Sequence, residues 1–319
     1  MNRKKELFIC LVTFIFTIVA FGPLYAKDYP AKPVTFVITF KVGGAADLEG
    51  RTLIKAAEKL LKKTITPINK TGAGGSIGFD FIRTAKADGY TIGWLSASLL
   101  THTNIGNLKS SWQDWGYVCG NLIEATSIAV MADAPWKNFQ EFLAHAKKNP
   151  GKVVIGNGGT GSFTFLTPIA LQEAAGVQFK HIPMGVRRVP SLLAREVDAI
   201  CVHPPEILAL VKAKKIRMLA ISSPKRISSY PEVPTFKESG HDVGFYQFRG
   251  VILPKQTPMA HIKKLESVFS EASKDKTFHA LAEKKGFMPN YMGRDEFMKF
   301  VDENNRNIKK IVEKYGLRK

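Results

Sequence analysis

Short runs of β-branched and apolar residues alternate with amphipathic stretches of helical spacing along most of the chain, and this order restricts the fold more than any other property. Val34 to Phe40 reads as a strand, after which Leu53, Ile54, Ala57, Leu60 and Leu61 share one helical face and Lys55, Glu58, Lys59 and Lys62 lie outside. Thr64 to Ile68 is a second strand, about Ile77 to Ala87 a helix, and Tyr90 to Leu95 a third strand behind a turn at Asp88-Gly89. A βαβαβ order implies a parallel sheet with helices on its faces, in which ligands collect at the carboxyl ends of the strands.

A second α/β series follows. Strands are expected at Ser127 to Ala132, Val153 to Ile155, Phe179 to Ile182, Ala199 to Val202 and Met218 to Ile221. Between them fall helices at Asn138 to Lys148, Phe165 to Ala175, Val189 to Arg195 and Glu206 to Lys212. A strand-like stretch at Phe245 to Leu253 and two helices, near Met259 to Ala272 and Arg294 to Tyr315, close the chain. The expected architecture is α/β in two lobes. The boundaries are lobe 1 at 27–126 plus 246–319 and lobe 2 at 127–245, preceded by 1–26 as a removable leader.

That leader is read from Arg3, Lys4 and Lys5, an apolar run from Leu7 to Phe21, and the sequence Gly22-Pro23-Leu24-Tyr25-Ala26. A basic start, an apolar middle and a small residue at the end is the layout of a secretory signal, with cleavage after Ala26. The apolar run falls short of the roughly 20 residues that a bilayer-spanning helix needs. Export to the periplasm is therefore expected, and it bears on the charge. The chain carries 46 Lys+Arg against 27 Asp+Glu, a net charge of +19. Such a surplus suits nucleic acid, an anionic membrane surface or small anions drawn in by a positive field. Outside the cytoplasm there is little nucleic acid to serve, and no stretch interleaves Lys/Arg with aromatic residues as a stacking groove does. Cys119 and Cys201 lie in apolar strand-like contexts and are read as two buried thiols.

Three strand-to-helix turns are rich in glycine: Val42 to Asp47, Thr71 to Gly78 and Gly156 to Ser162. Glycine lets backbone N–H groups approach a ligand, and a helix N-terminus presents unpaired donors with about half a positive charge, so each turn can cradle an anion. Three turns at the same end of their strands, divided between two lobes, would converge on one cleft. In the second turn the dinucleotide fingerprint is broken at Ile77, and no phosphate-binding P-loop motif occurs in the chain. HExxH and Cys-x-x-Cys are also missing, and the seven His are scattered without metal-ligand spacing. Neither a cofactor nor a metal is expected. Of the histidines, only His203 is read as lying where a cleft could be. Ser162 is read as a helix cap that also bonds a ligand, not as a nucleophile, because no sequence feature supplies its base.

At these loops the chain resembles the extracytoplasmic solute receptors of tripartite tricarboxylate transporters, also called Bug proteins. The likeness runs from Tyr29 to the C-terminal helices. It is carried by Tyr29-Pro30-Ala31-Lys32-Pro33-Val34, Gly43-Gly44-Ala45-Ala46-Asp47 with Arg51, Asn69 to Gly78, Ala87-Asp88-Gly89-Tyr90-Thr91, Asn149-Pro150-Gly151-Lys152, Gly159-Thr160-Gly161-Ser162, Glu196-Val197-Asp198, Ala220 to Arg226, Pro231 to Thr235 and Pro254 to Pro258. The resemblance implies a type II periplasmic-binding-protein fold, a Venus flytrap whose lobes close on a ligand held between them. It also implies a carboxylate pincer from the first two turns, carried here by Val42, Gly43, Gly44 and Asp47 with Gly74, Gly75 and Ser76. Thr160, Gly161, Ser162, Met184 and His203 are the second-lobe candidates. Asp47 is better suited to anchoring its own loop than to touching an anion, since carboxylates repel.

The chain departs from the family at Thr39-Phe40-Lys41, at Phe165 where a histidine is common, and at Pro183-Met184-Gly185-Val186-Arg187-Arg188 where Tyr-Lys-Gly is usual. Phe40, Phe165 and Met184 make the site more apolar, so the expected ligand is one carboxylate on an apolar or aromatic body. A C4-dicarboxylate or tricarboxylate is the alternative. Lys41, Arg187 and Arg188 are read as exposed loop-edge side chains; facing inward, they would favour a second anionic group. The resulting expectation is a non-catalytic, monomeric periplasmic receptor that delivers a small organic anion to membrane permease subunits. A ligand sensor for a signalling partner would look the same in sequence, and an exported hydrolase using Ser162 ranks below both.

Overall fold

A computed structural model describes residues 29–159, 162–243 and 246–318; the leader expected at 1–26 lies outside them. The first series folds as β1 (Val34–Ile38), α1 (Ala45–Leu61), β2 (Ile65–Asn69), α2 (Ser76–Thr84), β3 (Thr91–Ser96), α3 (Ser98–Asn104) and β4 (Trp115–Glu124). The second comprises β5 (Ser127–Met131), α4 (Phe139–Lys148), β6 (Val154–Asn157), α5 (Phe163–Ala175), β7 (Lys180–Pro183), α6 (Arg188–Leu193), β8 (Ala199–Val202), α7 (Pro204–Lys212) and β9 (Ile216–Ile221). The chain then returns through β10 (Gln247–Pro254), α8 (Met259–Ala272), α9 (Lys276–Lys285), β11 (Met288–Met292) and α10 (Arg294–Lys314).

These strands form two sheets. The first has the order β11-β4-β10-β3-β1-β2 and the second β7-β6-β8-β5-β9. In each, the leading strand is flanked in parallel by the next two: β1 by β2 and β3, β6 by β7 and β8. After crossing over, the chain inserts β10 between β3 and β4 and β5 between β8 and β9, each antiparallel to both neighbours, and β11 adds antiparallel to β4 at the edge of the first sheet. The same order in both sheets is the two-lobed α/β arrangement expected from the alternation of elements.

Helices cover both faces of the first sheet, which is why β1 shows no period-two pattern: Val34, Phe36, Val37 and Ile38 are all fully buried. Leu53 and Ile54 of α1 join Leu265 and Phe269 of α8 on one face. Phe79 of α2, Leu99 and Leu100 of α3 and Phe297, Val301 and Ile308 of α10 fill the other. Each large side chain buried in this way contributes about 1.5–3 kcal/mol. Cys119 and Cys201 are free and buried, one in each sheet, and burial pushes the Cys201 thiol up to about 12.

Three elements are absent from the expectations, α3, α9 and β11, and of β4 only the stretch around Cys119 is expected to be strand-like. β4 is buried along almost its whole length and interrupted by Gly116, Gly120 and Asn121, so no alternation marks it. Asn121 is tolerated there because its amide donates to Ser273 Oγ at 2.9 Å. α9 buries only Phe278 and Ala282, too narrow a stripe to register, but Asp275 caps it by accepting from Thr277 N and Phe278 N. Pro289 fits in β11 because that strand sits at the edge of its sheet.

Between β4 and β5 the chain crosses at Ala125 and Thr126. Thr126 N donates to Ser222 Oγ at 2.9 Å, and Thr126 Oγ1 to Thr167 Oγ1 at 3.0 Å. All three residues are buried, so the crossing is a packed hydroxyl cluster and not a loose linker. α10 adds a brace on the side of α5: Gln172 Nε2 donates to the Tyr315 hydroxyl at 2.9 Å, and Lys314 pairs with Glu173.

Candidate ligand-binding cleft

The first glycine turn leaves β1 and enters α1 at Ala45. Asp47, only 2% exposed, lies under the turn: its Oδ2 accepts from Gly43 N at 2.9 Å, and its Oδ1 accepts from Arg51 Nε at 2.8 Å and Asn69 Nδ2 at 2.9 Å. Asn69 ends β2 and donates also to the Phe40 carbonyl at 2.9 Å, while Arg51 Nη2 donates to Asn69 Oδ1 at 2.8 Å. Burial pushes the Asp47 pKa up, but the Gly43 N–H, Asn69 and Arg51 outweigh it and hold the carboxyl below its usual range. The place of Asp47 among ligand contacts is corrected accordingly: its oxygens are committed to holding the turn.

The second turn leaves β2 and enters α2 through Gly72, Ala73, Gly74 and Gly75. Gly74 and Gly75 have φ of +68° and +105°, in the left-handed region that side chains disfavour. A Cβ on Gly74 would meet His102 Nε2 at 2.2 Å, and that imidazole lies 3.1 Å from the Gly74 carbonyl oxygen. His102, on α3, thus braces the turn, so His203 is not the only histidine placed at the cleft.

Both turns open on one cavity of about 630 Å³. It is lined by Thr39, Phe40 and Lys41, by Gly44, Ala45 and Ala46, by Thr71 to Gly75, and by Arg249. The first amides of α1 and α2 have no acceptor within their helices, and both N-termini carry positive potential toward this space. Thr39 Oγ1 and Ser76 Oγ are buried without a hydrogen-bond partner, as is Arg249 Nη1. Of the other expected pincer residues, Val42 is 72% exposed at the rim and Gly43 lines an adjoining cavity. Lys41 is exposed and lines the main cavity.

Arg249 was not anticipated from sequence. It is 6% exposed on β10, its guanidinium 5.6 Å from the Phe40 ring centre. Its Nε lies 2.6 Å from Glu49 Oε2 and its Nη2 2.8 Å from Glu124 Oε2. The Nε contact is an ion pair without a directed hydrogen bond, and neither carboxylate Oε2 receives one. Burial first, and the charge of Glu124 second, outweigh the attraction of Arg249 and push the Glu49 pKa from 4.5 to about 8.

Between those values the folded protein holds a proton that the unfolded chain has released. Stability conferred by this site is therefore expected to fall as pH rises through 4.5 to 8 and to level off above. Urea midpoints at pH 5, 7 and 9 should show the difference between wild type and Glu49→Gln changing across that window; a constant difference would contradict a protonated Glu49.

An adjoining cavity of about 310 Å³ is bounded by Gly43, Ala45, Leu48 and Glu49 on α1 and its turn, and by His203, Pro205 and Glu206 across the cleft, with Glu124 and Lys285. His203 reaches it from the start of α7, its Nδ1 3.0 Å from the Ala125 carbonyl oxygen at the crossing. On the third turn, Ser162 Oγ accepts from Phe165 N at 3.2 Å and lies 3.1 Å from Thr164 Oγ1. That matches the capping role; Thr160 and Gly161 lie outside the described residues. Phe165 is 8% exposed and edge-on to His181 at 6.1 Å, its ring packed in the core and not presented to the main cavity. The Met184 sulfur packs toward Gly156 and the second-lobe core. Arg187 is exposed, whereas Arg188 is 9% exposed and turned to Glu206, with Nη2 at 2.6 Å from Oε1.

A further cavity, about 460 Å³ around Arg217, lies on the second sheet away from the glycine turns. Arg217 donates there to the Trp136 and Ala132 carbonyls at 2.9 and 2.6 Å, leaving no comparable group of unmet donors.

Two α/β lobes with matching strand orders, and a cavity ringed by helix N-termini at the carboxyl ends of strands, define a solute-binding protein of the periplasmic-binding-protein fold. The chain belongs to the tripartite tricarboxylate transporter receptors, the TctC family, whose profile matches residues 50–317. A Cupriavidus necator relative, the UPF0065 protein in the gbd 5′ region, is 31% identical over 303 residues, covering 92% of this chain and 90% of the relative. The crystal structure of a TctC solute binding protein from Polaromonas is 30% identical with a TM-score of 0.82, covering 90% of this chain and 99% of that one. Two structures share the fold at lower identity: MatC from Rhodopseudomonas palustris with bound malate (21%, TM-score 0.71, 89% and 100% covered) and an R. palustris protein with adipate (20%, TM-score 0.74, 91% and 99% covered).

Proposed function

We propose that this protein is a periplasmic, non-catalytic receptor that holds a small organic carboxylate between lobes 27–126 plus 246–319 and 127–245 and hands it to membrane permease subunits. One observation carries it. Two helix N-termini meet at a single cavity that is also lined by Thr39 and Arg249, each carrying a buried polar atom without a partner, and by Phe40, Ala45, Ala46 and Ala73. Donors without acceptors favour an anionic group, and the apolar walls favour a hydrocarbon body attached to it. Gly43, Gly44, Gly74, Gly75 and Ser76 form the pincer in this reading, and His203 approaches from the second lobe. The ligand favours closure because only the closed state supplies donors from both sides, and the surplus of Lys and Arg over Asp and Glu assists capture by steering.

The malate and adipate seen in the two R. palustris structures support the carboxylate class and leave its body open. Calorimetric titration with benzoate, adipate, malate, citrate and glutamate separates the possibilities. Tightest binding is expected for an acid with an apolar body. Tight citrate binding without any response to benzoate or adipate would reject the apolar preference.

A further inference from the structure

Arg249 is set apart from the other arginines of the cleft by what remains unmet. Arg188 is also buried and its Nε has no partner, but Glu206 takes its Nη2, the Gly185 carbonyl takes its Nη1, and it does not line the main cavity. Arg249 lines the cavity and has Glu49 beside Nε and Glu124 beside Nη2, while its Nη1 is buried and has no partner. A buried N–H left without an acceptor is costly. The residue that carries it borders the space on which the two glycine turns converge, where an arriving carboxylate that reaches Nη1 can supply the missing oxygen.

A ligand carboxylate placed there would be the third anion around one guanidinium. Three carboxylates cannot all stay ionised in so dry a site; one must take up a proton. Glu49 is the more enclosed of the two resident groups, its side chain 3% exposed against 13% for Glu124. The groups that face it are Arg249 from β10, Glu124 from β4, His203 and Glu206 from α7, and Lys285 from α9. Its elevated pKa, about 8, agrees with this choice.

Resting on the reading of the cleft as a carboxylate site, we infer that Arg249 Nη1 anchors the ligand's carboxylate and that Glu49 is protonated in the loaded receptor, so the loaded protein holds a proton beside its anion. Below the Glu49 pKa the proton is already in place. Above it, each binding event must take one from solvent, and affinity falls about tenfold per pH unit.

The test begins with a thermal-shift screen of benzoate, adipate, malate and citrate at pH 7, followed by titration of the best binder from pH 6 to 9.5 with wild type, E49Q and R249K. Expected are a wild-type Kd that is flat at low pH and weakens above pH 8, a flat profile for E49Q across the range, and at least tenfold weaker binding by folded R249K. Calorimetry in two buffers of different ionisation enthalpy should register uptake of close to one proton above pH 8 in wild type and none in E49Q. A ligand that binds with a flat wild-type profile and no proton uptake would overturn the inference and leave the carboxylate cleft standing. So would folded R249K with wild-type affinity. If R249K does not fold, the E49Q profile and the proton count decide. Failure of every acid in the screen would overturn the carboxylate reading itself, and this inference with it.

Discussion

Replacing Gly75 with leucine is expected to abolish ligand binding while the protein stays folded. Gly75 has φ of +105°, where a side chain costs about 1–2 kcal/mol. A Cβ there would lie 3.1 Å from Phe79 Cε2, 3.4 Å from Thr39 Oγ1 and 3.5 Å from Phe40 Cζ. Thr39 and Phe40 both line the cavity, so the added side chain is driven toward the space in which the carboxylate is held. The backbone must also shift to relieve the strain, moving the amides at the start of α2. Together these effects are expected to weaken binding by more than about 100-fold, or about 2.7 kcal/mol. The cost to folding is confined to one turn and should lower Tm by only several degrees. Circular dichroism establishes the fold and calorimetry the affinity; a folded Gly75→Leu protein with unchanged affinity would remove the second turn from the site.

Asp47→Ala is expected to damage stability and binding at once. The carboxylate is buried and accepts from Gly43 N, Asn69 Nδ2 and Arg51 Nε, so its loss leaves three donors short of an acceptor. At 1–3 kcal/mol for a buried unsatisfied group, discounted because Arg51 is partly exposed, the loss should be about 3 kcal/mol. The first turn then loses its tie to β2, and the amides at the start of α1 are no longer held toward the cavity. Asp47→Asn keeps one acceptor oxygen and should recover part of both losses. Because the carboxyl is held below its usual range, its contribution is present at neutral pH and is lost as pH falls through the depressed value. Urea midpoints at pH 7 and pH 3 should therefore separate wild type from Asp47→Asn more widely at pH 7. An equal gap at both would assign Asp47 a packing role only.

The order of elements was legible because each strand and helix is announced within a few residues of itself. Leu53, Ile54 and Ala57 mark α1 by spacing alone, and glycine after a strand marks a turn into a helix. Where burial is complete on every side, as in β4, or the buried stripe is narrow, as in α9, no local period exists to read. The same limit applies within the cleft. Asp47 could be tied to its turn because it lies inside it, whereas the bond of Asn69 to Asp47 spans 22 positions and appears only in the fold. His102 gave no such sign, since its partner Gly74 is 28 positions away and reached only when α3 packs beside the second turn. Phe165 was read as a ligand contact from its place in a motif, but packing turned its ring into the core.

The alternating α/β order, the glycine turns at the carboxyl ends of the strands and the helix N-termini behind them are written locally in the chain, because periodicity, turn chemistry and helix polarity act over a few residues. Tertiary structure alone decided what those turns surround. Glu49, Glu124 and Arg249 come from a helix and two strands far apart in the chain, and they meet only because β10 inserts between β3 and β4 and carries Arg249 to the crossing. Their chemistry follows from that meeting. A carboxyl and a guanidinium that would be ordinary in water become a proton-holding pair and an unmet donor once the fold has removed the solvent around them.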